Sequence, residues 1–510
     1  MKSRIKVVTA SFVLLALLNS AVLRTQANTS VAGITFTVNT SSDLPDAIPG
    51  DSQCEATAGL GDCTLRAAIM EANANSDPDI TILLPAGVYG ITIPASNPED
   101  EAHGSLKIYR SLTILGAGSN QSIIDGNGNY TNDRAVEVLS STDDTFITIQ
   151  GLTIQDGYAT AALTTGAMGG GIYARLGDEA GASGSLTLQD VLFRRNLALG
   201  AAAAGGGLYL EGWSQSSFTL SNVVVSDNSV EADSYAGGGL QFESGDYDQG
   251  GPYSILVIQD SSIQNNQAIP LTSGNPWGGG MDIRHGLVTL SGSTMANNQA
   301  DYGGAISVDG ALSRCDLINS TLSGNSANFD GGGIYSVDGV TNLSSITMMG
   351  NNSDYDLNGS GRAGGIYQTG SATVSLANSL VVFNHETYYD PEQGIYVPRH
   401  GDLRGNFTTE GYNGFTQTMD SVFSGPHELD QYEFTLELIG NLAFNGGDTL
   451  TRALLPGSEA INAANPAGCN DPDGDPLTSD QRGFPRLVDG RCDMGAYEYG
   501  PIIYLSIVRK

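Results

Sequence analysis

The sequence predicts an all-β parallel β-helix, a solenoid with a short N-terminal capping helix and a C-terminal capping region. The first observation is a phrase repeated seven times between residues 169 and 384: glycines, a lead aliphatic, a strand, a second strand, an asparagine. The lead aliphatics are Ile172, Leu208, Leu240, Met281, Ile306, Ile334 and Ile366, and Leu188, Leu220, Ile258, Leu290, Leu317, Leu343 and Leu376 mark the second strands. The second observation is spacing. An asparagine (Asn196, Asn228, Asn266, Asn298, Asn325, Asn351, Asn384) lies eight residues after each second-strand marker, while the interval between repeats varies from 26 to 38 residues. A constant core with variable loops is what stacked repeats produce. The third is composition: 67 glycines without a collagen period and 40% hydrophobic residues exclude both a collagen and a disordered chain.

Residues 1–27 read as a secretory leader. Lys2, Arg4 and Lys6 precede an apolar run over 7–18, and Thr25-Gln26-Ala27 offers a small-residue cleavage site. That run is too short and too one-sidedly flanked for a membrane span. Residues 28–78 form an N-terminal cap, in which 34–38 alternate as a strand. Leu65, Ala68, Ile69 and Ala72 share one helical face, with Thr64 placed to cap the helix. Strands at 80–84, 88–93, 111–115 and 123–125 open a repeat region over 79–390, and Gly157 takes the place that asparagine holds in later repeats. Short strands joined by Gly, Asn and Ser turns suit a coil of about three strands. About ten such coils would make a rod on the order of 50 Å long. Each asparagine is then expected to hydrogen-bond its equivalent one coil along, and the glycines to supply positive φ and close backbone approach. The register dissolves over 391–500, and 501–510 is an apolar tail with a basic end, too short to span a bilayer.

Of the five cysteines, Cys54 and Cys63 close one loop and Cys469 and Cys492 another, so two disulfides are expected in the non-repeat ends. Cys315 aligns with Phe218 and Val288 and is expected to be a buried free thiol. Export and disulfides together place the protein outside the cell or in the envelope. A formal charge of −33 repels nucleic acid and anionic membranes alike.

The ends carry a more specific signal. Residues 36–74, FTVNT…C…CTLRAAIMEANA, resemble the CSLREA domain of secreted bacterial proteins, with Cys63-Thr64-Leu65-Arg66-Ala67-Ala68 at the signature. Ala67 replaces the glutamate that would complete a capping box with the preceding residue. Residues 445–498, NGGDTLTRALLPGSEAINA…DQRGFPRL…CDMGAYE, resemble a choice-of-anchor Q domain. The repeats between them resemble the right-handed β-helix repeats of polymorphic outer membrane proteins and pectin- and pectate-lyase-like folds. These resemblances imply a secreted or surface-displayed right-handed β-helix and no particular reaction, since such helices carry adhesins, lyases and hydrolases alike.

Chemistry is expected where the repeat leaves side chains free. The residue after each lead aliphatic should point outward, giving the column Tyr173, Tyr209, Gln241, Asp282, Ser307, Tyr335 and Tyr367. Its tyrosines suit stacking on sugar rings, or on each other. Two positions on lie Glu243, Arg284 and Asp309 in consecutive coils, with the carboxylates about 9–10 Å apart, the upper edge for inverting glycoside hydrolysis. Glu243, Asp282 and Asp309 are therefore the acid/base candidates, and a salt-bridged solvated face is the competing reading. In the loop Asn470-Asp471-Pro472-Asp473-Gly474-Asp475, Asp471, Asp473 and Asp475 alternate as calcium ligands do. The EF-hand template then fails, with Gly474 at its fourth place and Arg482 at its twelfth, so the loop reads either as a calcium site or as an acidic turn. No other cofactor is implied. The leading reading is a monomeric, non-catalytic surface protein that binds a glycan or an envelope component; the alternatives are a polysaccharide-active enzyme and a carbohydrate-binding module.

Overall fold

The structure, a computed structural model, describes residues 33–500 except 78, 97–99, 141–143, 162–165, 179, 235 and 246–252. The leader and the apolar tail lie outside the described residues. The chain winds into a right-handed parallel β-helix, the hand that parallel crossover connections take. Each regular coil visits four sheets in turn. In one coil these are Leu208–Gly212 in sheet III, Ser217–Ser221 in sheet I, Val224–Ser226 in sheet II and Ser229–Ala232 in sheet IV. Sheet II stacks 11 strands, from Gly87–Gly90 to Gly414–Phe415, and sheet IV stacks six. Sheets I and III merge at the far end, where Leu403–Thr409 pairs with both Ile366–Gln368 and Thr373–Ala377. The stack thus continues beyond residue 390, and its last strand is Ser421–Ser424.

Alternation decides which side chains face in. Ile172, Leu208, Leu240, Met281, Ile306, Ile334, Ile366 and Leu403 lie in register along sheet III and are fully buried. Each large aliphatic so buried contributes about 1.5–3 kcal/mol. Cys315 is a buried free thiol in sheet I, paired in register with Val288 and Thr341.

The asparagines form one continuous buried ladder. From Asn196 to Asn384, each Nδ2 donates to the Oδ1 of the next asparagine at 2.8–3.0 Å. Each backbone N–H of this series donates to the same oxygen at 3.0–3.1 Å. The second amide hydrogen satisfies a carbonyl one coil back, such as Ile263 O for Asn298. The ladder starts at Gly157, whose N–H donates to Asn196, and ends on the Asp402 carboxylate, which accepts from both nitrogens of Asn384. A serine ladder, Ser261 to Ser293 to Ser320, does the same at the corner between sheets I and II.

The glycines before sheet III answer two demands. Gly205 adopts φ +64°, and a Cβ on Gly206 would lie 2.4 Å from the Gly238 carbonyl of the next coil. Only glycine satisfies both at a corner packed this closely.

The N-terminal helix cap and both disulfides form as their residues predict. Helix Leu65–Ala74 is capped by Thr64, whose hydroxyl accepts from Ala67 N, and its apolar face covers the first coil. Buried Arg66 ties it down through Asp43 (2.6 Å) and the Gly104 carbonyl. Disulfides Cys54–Cys63 and Cys469–Cys492 form. The C-terminal region divides its task. Residues 425–434 close the last coil, where Asp430 accepts from Asn413 and Thr409. Residues 436–499 then run back along the outside of sheet II: Gln481 bonds Thr321 and Thr294, Arg486 bonds Asn319, and Ala496 N–H donates to Thr347. A second apolar cluster (Leu380, Ile439, Leu454, Cys492, Met494) fills that seam.

Asn298→Ala removes the ladder's middle rung and leaves Asn266 and Ile263 without their buried partners. Denaturant unfolding should show a loss of about 3–5 kcal/mol, since each stranded buried polar group costs about 1–3 kcal/mol. Asn39→Ala removes an exposed amide bonded to the Gly61 carbonyl and should cost under about 1 kcal/mol by the same measurement.

Candidate functional site

The candidate catalytic residues all lie on the outer side of sheet III. Gln241, Asp282 and Ser307 stand in consecutive coils, as do Glu243, Arg284 and Asp309 two positions on. The first column extends further than the repeats indicate, through Lys107, Glu137, Tyr173, Tyr209, Gln241, Asp282, Ser307, Tyr335, Tyr367 and Arg404.

This column is outward in alternation but not exposed, which corrects the expectation of a free face. Tyr173, Tyr209, Gln241, Asp282, Ser307 and Tyr335 are all buried, and only Tyr367 is half-exposed. The covering side chains come from the residue before each left-handed glycine: Met168 before Gly169, Trp277 before Gly278 and Tyr302 before Gly303. Met168 packs on the Tyr173–Tyr209 pair, and Trp277 and Tyr302 lie 5.1 and 4.8 Å from the Tyr335 ring. The tyrosines stack on each other, Tyr173 on Tyr209 at 5.5 Å and Tyr335 on Tyr367 at 5.9 Å. The signal was present in the sequence as bulky residues ahead of the glycines, but alternation within the strand says nothing about the loop that precedes it.

Each candidate carboxylate has a partner or a seal. Glu243 accepts a hydrogen bond from Tyr209 at 3.1 Å. Asp309 accepts from Gly310 N at 2.7 Å and is half-buried. Asp282 is 0% exposed, so as placed it offers no contact to a polymeric substrate. Its Oδ1 accepts from the Ser307 hydroxyl, while Oδ2 and the Gln241 Oε1 below it both lack a donor. Burial pushes the carboxyl up to about 7, with Ser307 and the Arg284 guanidinium pulling the other way. Glu211 continues the second column, accepting from Trp213 Nε1 at 2.7 Å and pairing with Arg175 at 3.5 Å. The face is thus a packed array of coil-to-coil contacts, bordered by a half-buried aromatic rim of Trp277, Tyr302, Phe329 and Tyr367.

Asp471, Asp473 and Asp475 do not converge. Asp471 Oδ1 accepts from the backbone of Asp473 and Asp475, closing an acidic turn, and Asp473 is drawn to Arg314 at 2.9 Å. Among the described residues no group of three His, Cys, Asp or Glu side chains is arranged to hold a metal ion.

No family model matches the sequence, and no curated protein is similar to it, so the likenesses at 36–74 and 445–498 rest on their own residues. Among solved structures, the chain is similar to the crystal structure of pectate lyase Pel9A: 13% identity over 91% of this chain and 97% of that one, with a TM-score of 0.43.

The fold holds the Asp282 proton up to about pH 7, whereas an unfolded aspartate loses it near pH 4. Between those values the folded chain binds more protons, so this group's contribution to stability falls as pH rises. Asp282→Asn removes the ionisation. Its thermal midpoint, measured against the unaltered chain, should shift in the variant's favour between about pH 4 and 7. A pH-independent difference would show that Asp282 titrates as an ordinary carboxylate.

Proposed function

We propose that this chain is an exported, surface-displayed or envelope-associated β-helix with a non-catalytic binding role, its partner a glycan or another envelope component. One observation carries the reading. The outer face of sheet III uses its carboxylates to hold neighbouring coils together, while an aromatic rim stays half-exposed beside them. Flat rings with polar edges suit saccharide faces, and a rigid stack holds them at regular intervals. Two disulfides, both in regions where coil stacking does not close the chain, suit an oxidising compartment. Among the described residues no helix is long and apolar enough to cross a membrane.

Glycan-array binding combined with polysaccharide depolymerisation assays tests the reading. Binding without product release is expected. Trp277→Ala and Tyr302→Ala should weaken it at least about tenfold, as loss of aromatic anchors does, with thermal midpoints monitored to confirm folding. Turnover by the unaltered chain that Asp309→Asn or Glu243→Gln abolishes would replace this reading with the polysaccharide-active enzyme.

A further inference from the structure

Two of the five histidines stand together at a place that the binding face does not use. His385 directly follows the last asparagine of the ladder and starts the strand His385–Asp390, which pairs with Ile395–His400 as an antiparallel hairpin. The register sets His385 opposite His400, with ring centres 5.0 Å apart and planes at 48°. Phe383 abuts the His400 ring edge-on at 5.6 Å. Both histidines line a cavity of about 690 Å³ together with Gln417 and Met419.

Three features separate this pair from a packed core contact. Neither imidazole makes a side-chain hydrogen bond among the described residues, and His400 Nδ1 is buried without a partner. A stranded imidazole nitrogen is costly unless something occupies it. Met419 lines the same cavity, and its sulfur accepts from Gln417 Nε2 at 3.1 Å. The nearby Arg399 guanidinium is already spent on Glu386 at 2.6 Å, so its charge is neutralised beside the cavity.

We propose that His385 and His400, with Met419 as a third ligand, form a copper site at the base of this hairpin. The geometry fits one ion between the rings. An imidazole nitrogen about 2.0–2.1 Å from a metal puts the ring centre roughly 3 Å away, so two rings at a tetrahedral angle have centres about 5 Å apart. Two imidazoles and a thioether favour copper over the harder ions, and copper heads the affinity order of divalent first-row metals at such sites. An anionic ligand is a poorer match, because the Arg399 guanidinium beside the cavity is already paired with Glu386.

Copper binding to the full chain tests the site. Cu(II) titration with electron paramagnetic resonance, and Cu(I) competition against a chromophoric chelator, should show one tight equivalent with two imidazole nitrogens coupled to the metal. His385→Ala and His400→Ala should each weaken it at least about a hundredfold, and Met419→Leu should weaken Cu(I) at least about tenfold with a smaller effect on Cu(II). Thermal unfolding of each variant establishes that the hairpin still folds. The absence of micromolar copper binding would overturn the proposal, as would full stoichiometry in a His385→Ala/His400→Ala double variant. Tighter binding of Zn(II) than of Cu(I) would also overturn it. Glycan binding is read separately, so failure here leaves the proposed function untouched and the converse holds.

Discussion

The structure depends on a line of side-chain amides that runs through the protein parallel to its axis. A coil of short strands must turn sharply at each corner, and a corner buried against its neighbours strands backbone N–H and C=O groups away from water. An asparagine side chain carries one acceptor and two donor hydrogens, which suffices to satisfy the corner above and the corner below at once. Because each amide receives from one coil and gives to the next, no rung stands alone. This is why the asparagine keeps its offset from the preceding strand while the loops vary in length. The ends of the ladder show the same requirement: Gly157 supplies a bare N–H at one end, and the Asp402 carboxyl oxygen accepts from the last asparagine at the other.

A solenoid built this way has to protect two ends and its outer surfaces. The first end is closed by a helix held through a buried arginine, and the last by a short segment anchored on Asp430. The remaining C-terminal region shields sheet II instead of extending the axis. The same economy governs sheet III, where residues arriving from the loop fold over the strand face and bury it. What remains open to partners is therefore the rim and the irregular insertions, and both the aromatic border and the histidine pair lie there.

Residues near each other in sequence announced their roles well. The asparagine ladder, the glycine corners, the Thr64 cap, the buried Cys315 and both disulfides follow from spacing or from local turn and helix rules. The register of Glu243, Arg284 and Asp309 follows as well, because the repeat counts it directly. Their chemical availability does not. Whether Asp282 meets solvent depends on which side chains the loops lay over it, and their rotamers answer to packing between coils. The pairing of His385 with His400 was equally hidden, since 15 residues and a turn separate them and the repeat has already ended.

The sequence by itself determined the scaffold: a parallel stack, its corners, its inward residues and the covalent closures at its ends. Those features repeat, and repetition converts a local rule into a long-range register without further information. Only the tertiary structure decided which outward positions are free, where the C-terminal region lies and which distant side chains share a cavity. These depend on variable loops whose contacts are set by shape and burial across coils, and no period in the chain encodes them.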